Sequence, residues 1–143
     1  MIKVYNNKAS LKNISNHLDK VDSLFVPSLS SYVDLDKYSK KIFENADRVE
    51  LWRNEELVGL LAFYTNLNSV FITNVSLDRS LQGLGFGAKM FNKFFEIIKD
   101  KNIEKVNLEV NSKNKKAINF YKSMGFDLEN ESGKNLLLIF TLK

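Results

Sequence analysis

The sequence predicts a mixed α/β fold, with a central sheet of about six to seven mostly antiparallel strands flanked by four helices. Three observations predict it. Short stretches rich in valine, leucine, isoleucine and phenylalanine alternate along the chain with amphipathic helical stretches. The chain has 143 residues, of which 44% are hydrophobic, and this is enough for one sizeable core. We find no internal repeat and no linker, so residues 1–143 are expected to form a single domain.

The first half of the chain predicts two helices and four strands. MIKVY at the start predicts a short strand. SLKNISNHLDKVDSLF predicts an amphipathic helix with Ser10 as its N-cap. A second helix is expected to begin at Asp34, beyond the break at Pro27. RVELWRNEELVGLLAFYTN predicts two strands around a tight turn at Asn54, and SVFITNVSL predicts another strand.

The second half predicts two further helices, a strand between them and a closing hairpin. AKMFNKFFEIIK follows the stretch QGLGFG and predicts a helix to about Asp100, after which KVNLEV predicts a strand. KKAINFYKSM predicts a helix that ends at Gly125, a natural left-handed C-cap. FDLE and NLLLIFTL are expected to form a hairpin that turns around Gly133.

Composition excludes several kinds of site. The absence of cysteine excludes disulfides, thiolate metal ligands and a cysteine nucleophile, and the single histidine, His17, cannot form a multi-histidine metal site. His17 lies in a polar helical stretch and is expected at the surface. No apolar run approaches the ~18 residues of a membrane span. The N-terminus lacks the apolar region of a signal peptide, so we expect a cytoplasmic protein with no membrane contact and no metal.

Positive charge is concentrated in the middle of the chain. The net charge of +4 divides into −1 for residues 1–78, +6 for residues 79–122 and −1 for residues 123–143. This distribution indicates an anionic partner that lies against the middle segment. The segment has no arginine-rich stripe, and we do not expect nucleic acid to be that partner. A protein that binds nucleotides or nucleic acid here stays an alternative, and it predicts an affinity that falls steeply with salt.

Three of the six glycines lie in QGLGFG, directly before the predicted third helix. Unpaired N–H groups at a helix N-terminus bind phosphate if no Cβ blocks its approach, so the stretch predicts a pyrophosphate site; a tightly packed turn is the alternative. A dinucleotide fingerprint would use Gly83, Gly85 and Ala88, but only residues 89–143 follow, too few for a doubly wound sheet. An ATP-binding P-loop would need glycine where Ala88 stands. The frame Q-x-x-G-x-G is satisfied by Gln82, Gly85 and Gly87.

A second motif decides between these frames. LEVNSKNKKAINFYKSMGF contains a strand and then, in order, Asn114, Ala117, Tyr121, Gly125 and Phe126. Together with VSLDRSLQGLGFG, it resembles the paired motifs of the GNAT superfamily of N-acetyltransferases. The resemblance covers residues 70–126 well and extends loosely over the whole chain. It implies a GNAT-type fold with splayed parallel central strands, and acetyl-CoA (coenzyme A) as the cofactor. One departure is Arg79, where the family commonly has proline, at a position that mainly shapes the turn.

The resemblance implies a role for each matching residue. The pantetheine arm of the cofactor would enter between the splayed strands and pair with the backbone of one of them. Backbone N–H groups of QGLGFGA would hold the pyrophosphate. The implied cofactor-binding residues are Val75, Leu77, Gln82, Gly83, Gly85, Phe86, Gly87, Ala88 and Asn114. Lys113, Lys115 and Lys116 flank Asn114 and either meet the 3′-phosphate or form a solvated charged face.

Acyl transfer to an amine needs a proton donor for the leaving thiolate and an acceptor for the proton of the amine. The resemblance implies that Tyr121 lies beside the thioester sulfur, and a phenol of pKa about 10 suits a thiolate leaving group. The alternative is that its ring only packs against the sheet. Glu109 alternates with apolar neighbours and matches a glutamate that some family members use as the base. A water held by Asn74 and Ser76, or a purely structural Glu109, stays open.

The acceptor site would be formed by the first two helices, the loop after FYTN and the final hairpin. Tyr32 and Tyr64 are the candidate substrate-binding residues, with plain packing as the alternative. The sequence shows neither an acidic groove for polyamines nor a long insertion for reading peptides. We therefore expect an N-acetyltransferase that acts on a small amine, an amino sugar or amino acid, in a ternary complex and as a monomer or homodimer. A protein N-terminal acetyltransferase of the ribosomal-protein type and a non-catalytic acyl-CoA sensor are the alternatives.

Overall fold

The chain forms a seven-stranded sheet with the strand order β1-β2-β3-β4-β5-β7-β6. The computed structural model describes residues 1–142. The strands are β1 (Ile2–Asn6), β2 (Asp47–Arg53), β3 (Glu56–Asn66), β4 (Ser69–Leu77), β5 (Lys105–Asn111), β6 (Asp127–Ser132) and β7 (Asn135–Thr141). The helices are α1 (Leu11–Val21), α2 (Leu35–Asn45), α3 (Phe86–Ile98) and α4 (Lys115–Ser123). The predicted mixed α/β fold is confirmed. Among residues 1–142, no helix is long and apolar enough to cross a membrane.

The parallel strands β4 and β5 pair over only part of their length. Their register runs from Ser69 opposite Lys105 to Ile72 opposite Leu108 and then stops. On its other side, β5 stays paired with β7 as far as Asn111. The remaining sheet pairs within residues 1–142 are antiparallel. A wedge-shaped gap therefore opens between the second halves of β4 and β5, as the predicted splay requires.

A one-residue bulge in β4 lies where the gap begins. The register between β3 and β4 shifts so that Thr73 has no partner on β3. One extra residue inverts the alternation of side chains along a strand. Ile72, before the bulge, and Val75, after it, consequently face the same apolar core. Asn74 and Ser76 lie on the opposite face, where they contact α2 and α1 respectively.

Each face of the sheet has its own apolar core. On one face, α3 and α4 pack over a cluster in which Phe91 and Phe126 meet edge to face with ring centroids 5.9 Å apart. On the other face, α1 and α2 bury Ile14 and Ile42 against β3. The apolar faces of the amphipathic helices therefore cover both sides of the sheet, and the gap between β4 and β5 connects the two sides.

A buried ion pair fixes the segments around α1 and α2 to β2. Nε of Arg48 donates to Oε2 of Glu50 at 2.9 Å, and the side chains are 5% and 0% exposed. Glu50 also accepts from the backbone N–H of Ala9 and from Nε1 of Trp52. Arg48 donates to the carbonyl oxygens of Ala9 and Ala46, which precede α1 and follow α2. Because a buried charge is stable only when it is paired and hydrogen-bonded, this network holds both helices in register with the sheet.

Arg48→Met tests the importance of this network. Methionine keeps much of the apolar stem but leaves the Glu50 carboxylate buried without its cation. We expect the free energy of unfolding to fall by roughly 3–5 kcal/mol, measured by urea denaturation. The control is Lys93→Met, which breaks the exposed Lys93–Glu96 pair and is expected to leave stability unchanged within error. An equally small effect of Arg48→Met would show that the buried pair is dispensable.

Candidate active site

The gap between β4 and β5 forms the floor of a cleft of about 1120 Å³. Its walls come from the start of α3, from α4 and from the segment that joins α1 to α2. The residues expected from the sequence to bind the cofactor or to catalyse all line this cleft: Val75, Leu77, Gln82, Gly83, Gly85, Phe86, Gly87, Ala88, Glu109, Asn114 and Tyr121. The fold thus brings together residues that are up to 46 positions apart, from 75 to 121.

The edge of β4 presents to the gap backbone groups that β3 does not pair, and of these the carbonyl of Leu77 accepts from Nε2 of Gln82. The N–H of Asp78 donates to the carbonyl of Val58 at 2.8 Å, and Leu77 lies opposite Gly59. In an antiparallel pair this places Leu77 at a non-hydrogen-bonded position, so its own N–H and C=O point away from β3. The same holds for Val75, two residues earlier. These groups face the side where β5 has parted, so an extended ligand arm can pair with β4 as an added strand.

Two glycines leave an open space at the start of α3. Gly83 and Gly85 have φ angles of +73° and +85°, and nothing lies within 4 Å of the position that a Cβ would take on either residue. Gly85 is the N-cap of α3. The first N–H groups of a helix have no intrahelical partner and carry the positive end of the helix dipole. A pyrophosphate therefore fits here, in the space that side chains at these positions would fill.

Gly87 and Gln82 have internal roles as well. A Cβ on Gly87 would lie 3.0 Å from the ring of Phe120, so this glycine allows α3 and α4 to approach. The N–H of Gln82 donates to the carbonyl of Arg79 at 3.2 Å, and its side-chain Nε2 donates to the carbonyl of Leu77 at 3.0 Å. The N–H of Gln82 is thus engaged inside the turn, and the expected contact of Gln82 with the cofactor stays a prediction. Its side chain stabilises the end of β4.

Asn114 is the N-cap of α4, and its Oδ1 accepts from the N–H of Ala117 at 3.2 Å. Only the amide NH₂ of Asn114 is therefore left to contact a cofactor. Of the three lysines near it, Lys116 lines the cleft, whereas Lys113 and Lys115 do not. Of the excess positive charge in residues 79–122, it is therefore mainly that of Lys116 on α4 that lies at the cleft.

Tyr121 reaches the cleft from α4. Its ring packs against Phe91 and Phe126, with centroids 6.1 Å apart in each case. Burial raises the pKa of Tyr121, and Tyr32 across the cleft raises it further. The hydroxyl therefore stays protonated at neutral and mildly alkaline pH, which a proton donor requires. The ring of Tyr121 packs against the core, as the alternative to a catalytic role expected. The same burial keeps its hydroxyl protonated.

Glu109 lies on β5 immediately after the last residue that pairs with β4. Its neighbours Leu108 and Val110 are 2% and 8% exposed and pack in the core beneath α3. Because side chains alternate along a strand, Glu109 points to the opposite face, toward α1 and α2. Among the residues of 1–142 that line the cleft, Glu109 has the one carboxylate. It is placed to accept a proton at the point where the strands part.

This geometry agrees with the comparison to known families. Residues 18–126 match the family described as acetyltransferase (GNAT) family. The chain belongs to the GNAT acetyltransferase family. It is therefore an N-acetyltransferase, and its acetyl donor is acetyl-CoA.

Similar proteins span nearly the whole chain. A relative in Bacillus subtilis (strain 168), assigned as a ribosomal protein bS18-alanine N-acetyltransferase, is 24% identical over 123 residues, covering 82% of this chain and 80% of the relative. PaiA N-acetyltransferase from Thermoplasma acidophilum, solved with coenzyme A, has a TM-score of 0.78 at 13% identity and covers 99% of each chain. The ribosomal-protein-S18-alanine N-acetyltransferase from Escherichia coli has a TM-score of 0.79 at 13% identity, covering 100% of this chain and 95% of that one. The structural matches show that the GNAT fold is shared.

His17 is buried in this GNAT domain, so the expectation that it lies at the surface was wrong. Only 2% of the residue is exposed, and its Nε2 lies 2.9 Å from Oγ of Ser76 on β4. Burial lowers the pKa of His17 to about 4, against the opposing effect of the Asp78 carboxylate. The ring is therefore neutral at neutral pH. The sequence signal was its spacing, since His17 follows Ile14 by three residues and precedes Val21 by four on the apolar stripe of α1.

Tyr38 is a residue of the cleft that the sequence analysis missed. It lies on α2, four residues before the fully buried Ile42, and its hydroxyl donates to the carbonyl of Thr73 at 2.7 Å. The Tyr38 hydroxyl thus holds the bulge of β4 in place and at the same time lines the cleft. Its helical spacing from Ile42 predicts that it faces the sheet, but the bulge that it meets was not visible in the local pattern.

The two tyrosines expected at the acceptor site have different positions. Tyr32 lines the cleft and is 61% exposed. Tyr64 does not line it; it packs against the core beneath α2, and Nζ of Lys41 lies 5.5 Å from its ring centroid. Tyr64 lies on β3, one strand farther from the gap than Phe71, the β4 residue opposite it.

The acceptor end of the cleft is apolar. The segment between α1 and α2 runs along its rim, and Phe71 of β4 adds a side chain that is 38% exposed. Apart from Tyr32, the side chains lining this part of the cleft are mainly aliphatic or aromatic: Leu24, Phe25, Val26, Pro27, Leu29, Val33 and Phe71. The polar groups of the cleft are therefore concentrated on its floor, where the strands part.

Gly85→Val tests whether the open space beside Gly83 and Gly85 binds the pyrophosphate of acetyl-CoA. Acetyl-CoA at about 100 times its dissociation constant should stabilise the wild type by roughly 2.7 kcal/mol. A branched side chain at φ +85° would fill the open space, so we expect acetyl-CoA to give Gly85→Val no increase in Tm.

The matched control is Gly133→Val. Gly133 also has a positive φ, +62°, with open space around it, but it lies in the turn between β6 and β7 and does not line the cleft. This variant should lose stability in the same way yet keep the full increase in Tm with acetyl-CoA. An undiminished shift in Gly85→Val would place the pyrophosphate elsewhere.

Proposed function

We propose that this enzyme acetylates the α-amino group at the N-terminus of a polypeptide, by direct attack of the amine in a ternary complex with acetyl-CoA. The observation that carries the proposal is a single cleft with Tyr121 on one side, Glu109 on the other and a solvent-open apolar rim. Acetyl-CoA, when bound, supplies an activated acetyl group whose thiolate is displaced by the amine.

Tyr121 and Glu109 approach the gap from opposite faces of the sheet. Tyr121 is anchored in the phenylalanine core beneath α3 and α4, where it stays protonated and can donate to the departing thiolate. Glu109 points toward α1 and α2, the side from which the acceptor enters, and takes the proton of the incoming ammonium directly or through water. The missing pairing between β4 and β5 is what allows groups from both faces to act on one acetyl group.

The lining of the acceptor end favours one class of amine over the others. A polyamine needs several carboxylates, and among residues 1–142 the cleft lining offers Glu109 alone. The hydroxyls of an amino sugar would lie unpaired against the apolar rim, at a cost of about 1–3 kcal/mol for each buried group. Val26 and Tyr32 are 46% and 61% exposed, so the body of the acceptor can extend into solvent. An amine on a small apolar residue that begins a longer chain fits these properties.

Two of the similar proteins support this choice. The relative from Bacillus subtilis and the Escherichia coli structure are both named for alanine acetylation of the ribosomal protein S18, and alanine is a small apolar residue. The small-molecule acceptor expected from the sequence stays a second candidate, in the form of a free amino acid. Lys134, on the turn between β6 and β7, lines the cleft and offers a cation to a free carboxylate.

A panel of acceptors tests the proposal. The purified enzyme is given acetyl-CoA and either a peptide with a free N-terminal alanine, the same peptide N-acetylated, free L-alanine, glucosamine or spermidine, and thiol release is measured. We expect the highest kcat/KM with the free peptide and none with the blocked one. A higher kcat/KM for L-alanine or glucosamine would show that the acceptor is a small molecule and not a polypeptide. Acetyl-CoA binding without thiol release from any amine would indicate a sensor.

Tyr121→Phe should slow turnover without weakening acetyl-CoA binding. The ring still packs against Phe91 and Phe126, and only the proton donor is lost. We expect kcat to fall by about 10²–10⁴-fold, with an unchanged dissociation constant for acetyl-CoA by calorimetry. Since the pKa of Tyr121 is raised, its ionisation should not reduce wild-type kcat below about pH 10. Tyr5→Phe, on β1 outside the cleft, is the matched control, and an equally active Tyr121→Phe would remove Tyr121 from the mechanism.

Glu109→Gln tests the base through the pH–rate profile. Glutamine keeps the size of the side chain but cannot take a proton, so kcat at neutral pH should fall by roughly 10²–10⁴-fold. The loss should shrink as the pH rises, because more of the amine then arrives neutral. Glu129→Gln, on the exposed strand β6, should keep the wild-type profile. If the profiles of Glu109→Gln and wild type run parallel, the base lies elsewhere, with a water on Asn74 and Ser76 as the next candidate.

A further inference from the structure

A chain of hydrogen bonds runs from α1 across β4 to α2, beside the acceptor end of the cleft. Nε2 of His17 lies 2.9 Å from Oγ of Ser76, which donates to Oδ1 of Asn74 at 2.8 Å. Nδ2 of Asn74 donates to the hydroxyl of Tyr38 at 3.5 Å, the longest link. Tyr38 in turn donates to the carbonyl of Thr73 at 2.7 Å. The chain therefore ends on the bulge that opens the gap.

The Ser76 hydroxyl gives a direction to this chain. It has one proton, which goes to Asn74, so Oγ of Ser76 is left to accept from His17. This direction requires the neutral imidazole to carry its proton on Nε2, although the backbone of Leu57 is also a hydrogen-bond partner of the ring. Every donor then points the same way, and hydrogen bonds aligned in this manner polarise and strengthen one another. The charged groups around His17 are Asp78, Lys20 and Glu56, and burial outweighs them, so the ring stays neutral at neutral pH.

The cleft side of this chain presents oxygen lone pairs. Ser76, Asn74 and Tyr38 line the cleft, whereas His17 lies behind Ser76 and lines a separate depression between α1 and the turn after β2. A hydroxyl oxygen accepts two hydrogen bonds. Ser76 accepts from His17 and keeps one lone pair, whereas the Tyr38 hydroxyl already accepts from Nδ2 of Asn74 and from Oγ1 of Thr73, which is 3.0 Å away. Glu109 points to this same face of the sheet.

We propose that Ser76 receives the amino group of the acceptor, and that His17 is a positioning residue which turns the Ser76 hydroxyl proton away from it. An ammonium or amine brings N–H donors, and a hydroxyl proton aimed at it would repel them. By donating to Oγ, His17 leaves the Ser76 proton only Asn74 as its partner, so a lone pair faces the amine. The inference rests on the proposed acetyl transfer to an amine and adds the group that binds this amine.

A double-mutant cycle tests the positioning role. With the best acceptor of the panel, His17→Leu and Ser76→Ala should each raise the acceptor KM roughly tenfold, the upper value for one neutral hydrogen bond. The affinity for acetyl-CoA should be unchanged, and kcat should stay within about twofold of wild type. His17→Gln, whose Nε2 can donate in place of the imidazole, should restore the acceptor KM.

The combination of the two changes separates positioning from structure. If His17 acts through Ser76, then His17→Leu should add nothing to Ser76→Ala, because no hydroxyl remains to be turned. A purely structural His17 predicts the opposite: additive losses, a lower Tm and weaker binding of both substrates. Ser15→Ala, on the same helix but lining neither the cleft nor the depression, is the control and should behave as wild type. Additive losses would overturn the proposal.

A second measurement does not depend on turnover. His17 is the only histidine of the chain, so its ring signals in ¹⁵N–¹H correlation spectra are assigned directly. We expect the proton on Nε2 and no titration down to about pH 5, since the pKa is about 4. Ethylammonium, added to the complex with coenzyme A, should shift the ring signals in the wild type and not in Ser76→Ala.

The outcomes separate this inference from the proposed function. Three results would each overturn the amine-binding role of Ser76 and His17, even if the enzyme is active. They are a proton on Nδ1 of His17, titration of the His17 ring near its ordinary pKa, and ring signals that do not change with ethylammonium. Ring signals that respond to ethylammonium, in a protein that acetylates no amine of the panel, would support the amine site and reject the proposed acceptor.

Discussion

The rest of the site depends on one constraint: the parallel pairing of β4 with β5 stops after Ile72 and Leu108. Were it to continue, β4 would have no free backbone edge and the sheet would be closed. Tyr121 and Glu109 would then lie on opposite faces of a continuous layer. The bulge at Thr73 produces the stop, because it bends β4 and inverts which side chains face the phenylalanine core.

A strand that has lost its neighbour on one side needs other support. β3 stays paired with β4 along its other edge, and Gln82 holds the carbonyl of Leu77 at its end. The hydroxyl of Tyr38 holds the bulge, and the buried pair of Arg48 and Glu50 holds the segments from which α1 and α2 approach. The open edge is therefore rigid before any ligand arrives, and less ordering is needed when the cofactor binds.

The sequence predicted those features of the structure that residues close together in the chain determine. The order of elements follows from their periodicity, and the open turn before α3 follows from glycines such as Gly85, whose positive φ disfavours other residues. It could not predict the burial of His17, because a polar residue on an amphipathic helix is taken as solvated until its partner is known, and Ser76 is 59 residues away. Nor could it predict that Tyr64 does not line the cleft, because the distance of β3 from the gap depends on the order of the strands in the sheet. Where the gap begins depends on one bulged residue, and no local pattern marks it.

The two separate cores have a consequence for how such an enzyme diversifies. The side chains that face the acceptor lie on the side of α1 and α2. Tyr121 and the glycines before α3, which face the acetyl donor, belong to the layer of α3 and α4. Substitutions in distant, independently packed layers combine nearly additively. A lineage can therefore accumulate changes in the segment between α1 and α2, and so exchange one amine for another, as long as Tyr38 and the buried pair of Arg48 and Glu50 keep the edge of β4 in place. Selection for a new acceptor then need not disturb the use of the old donor.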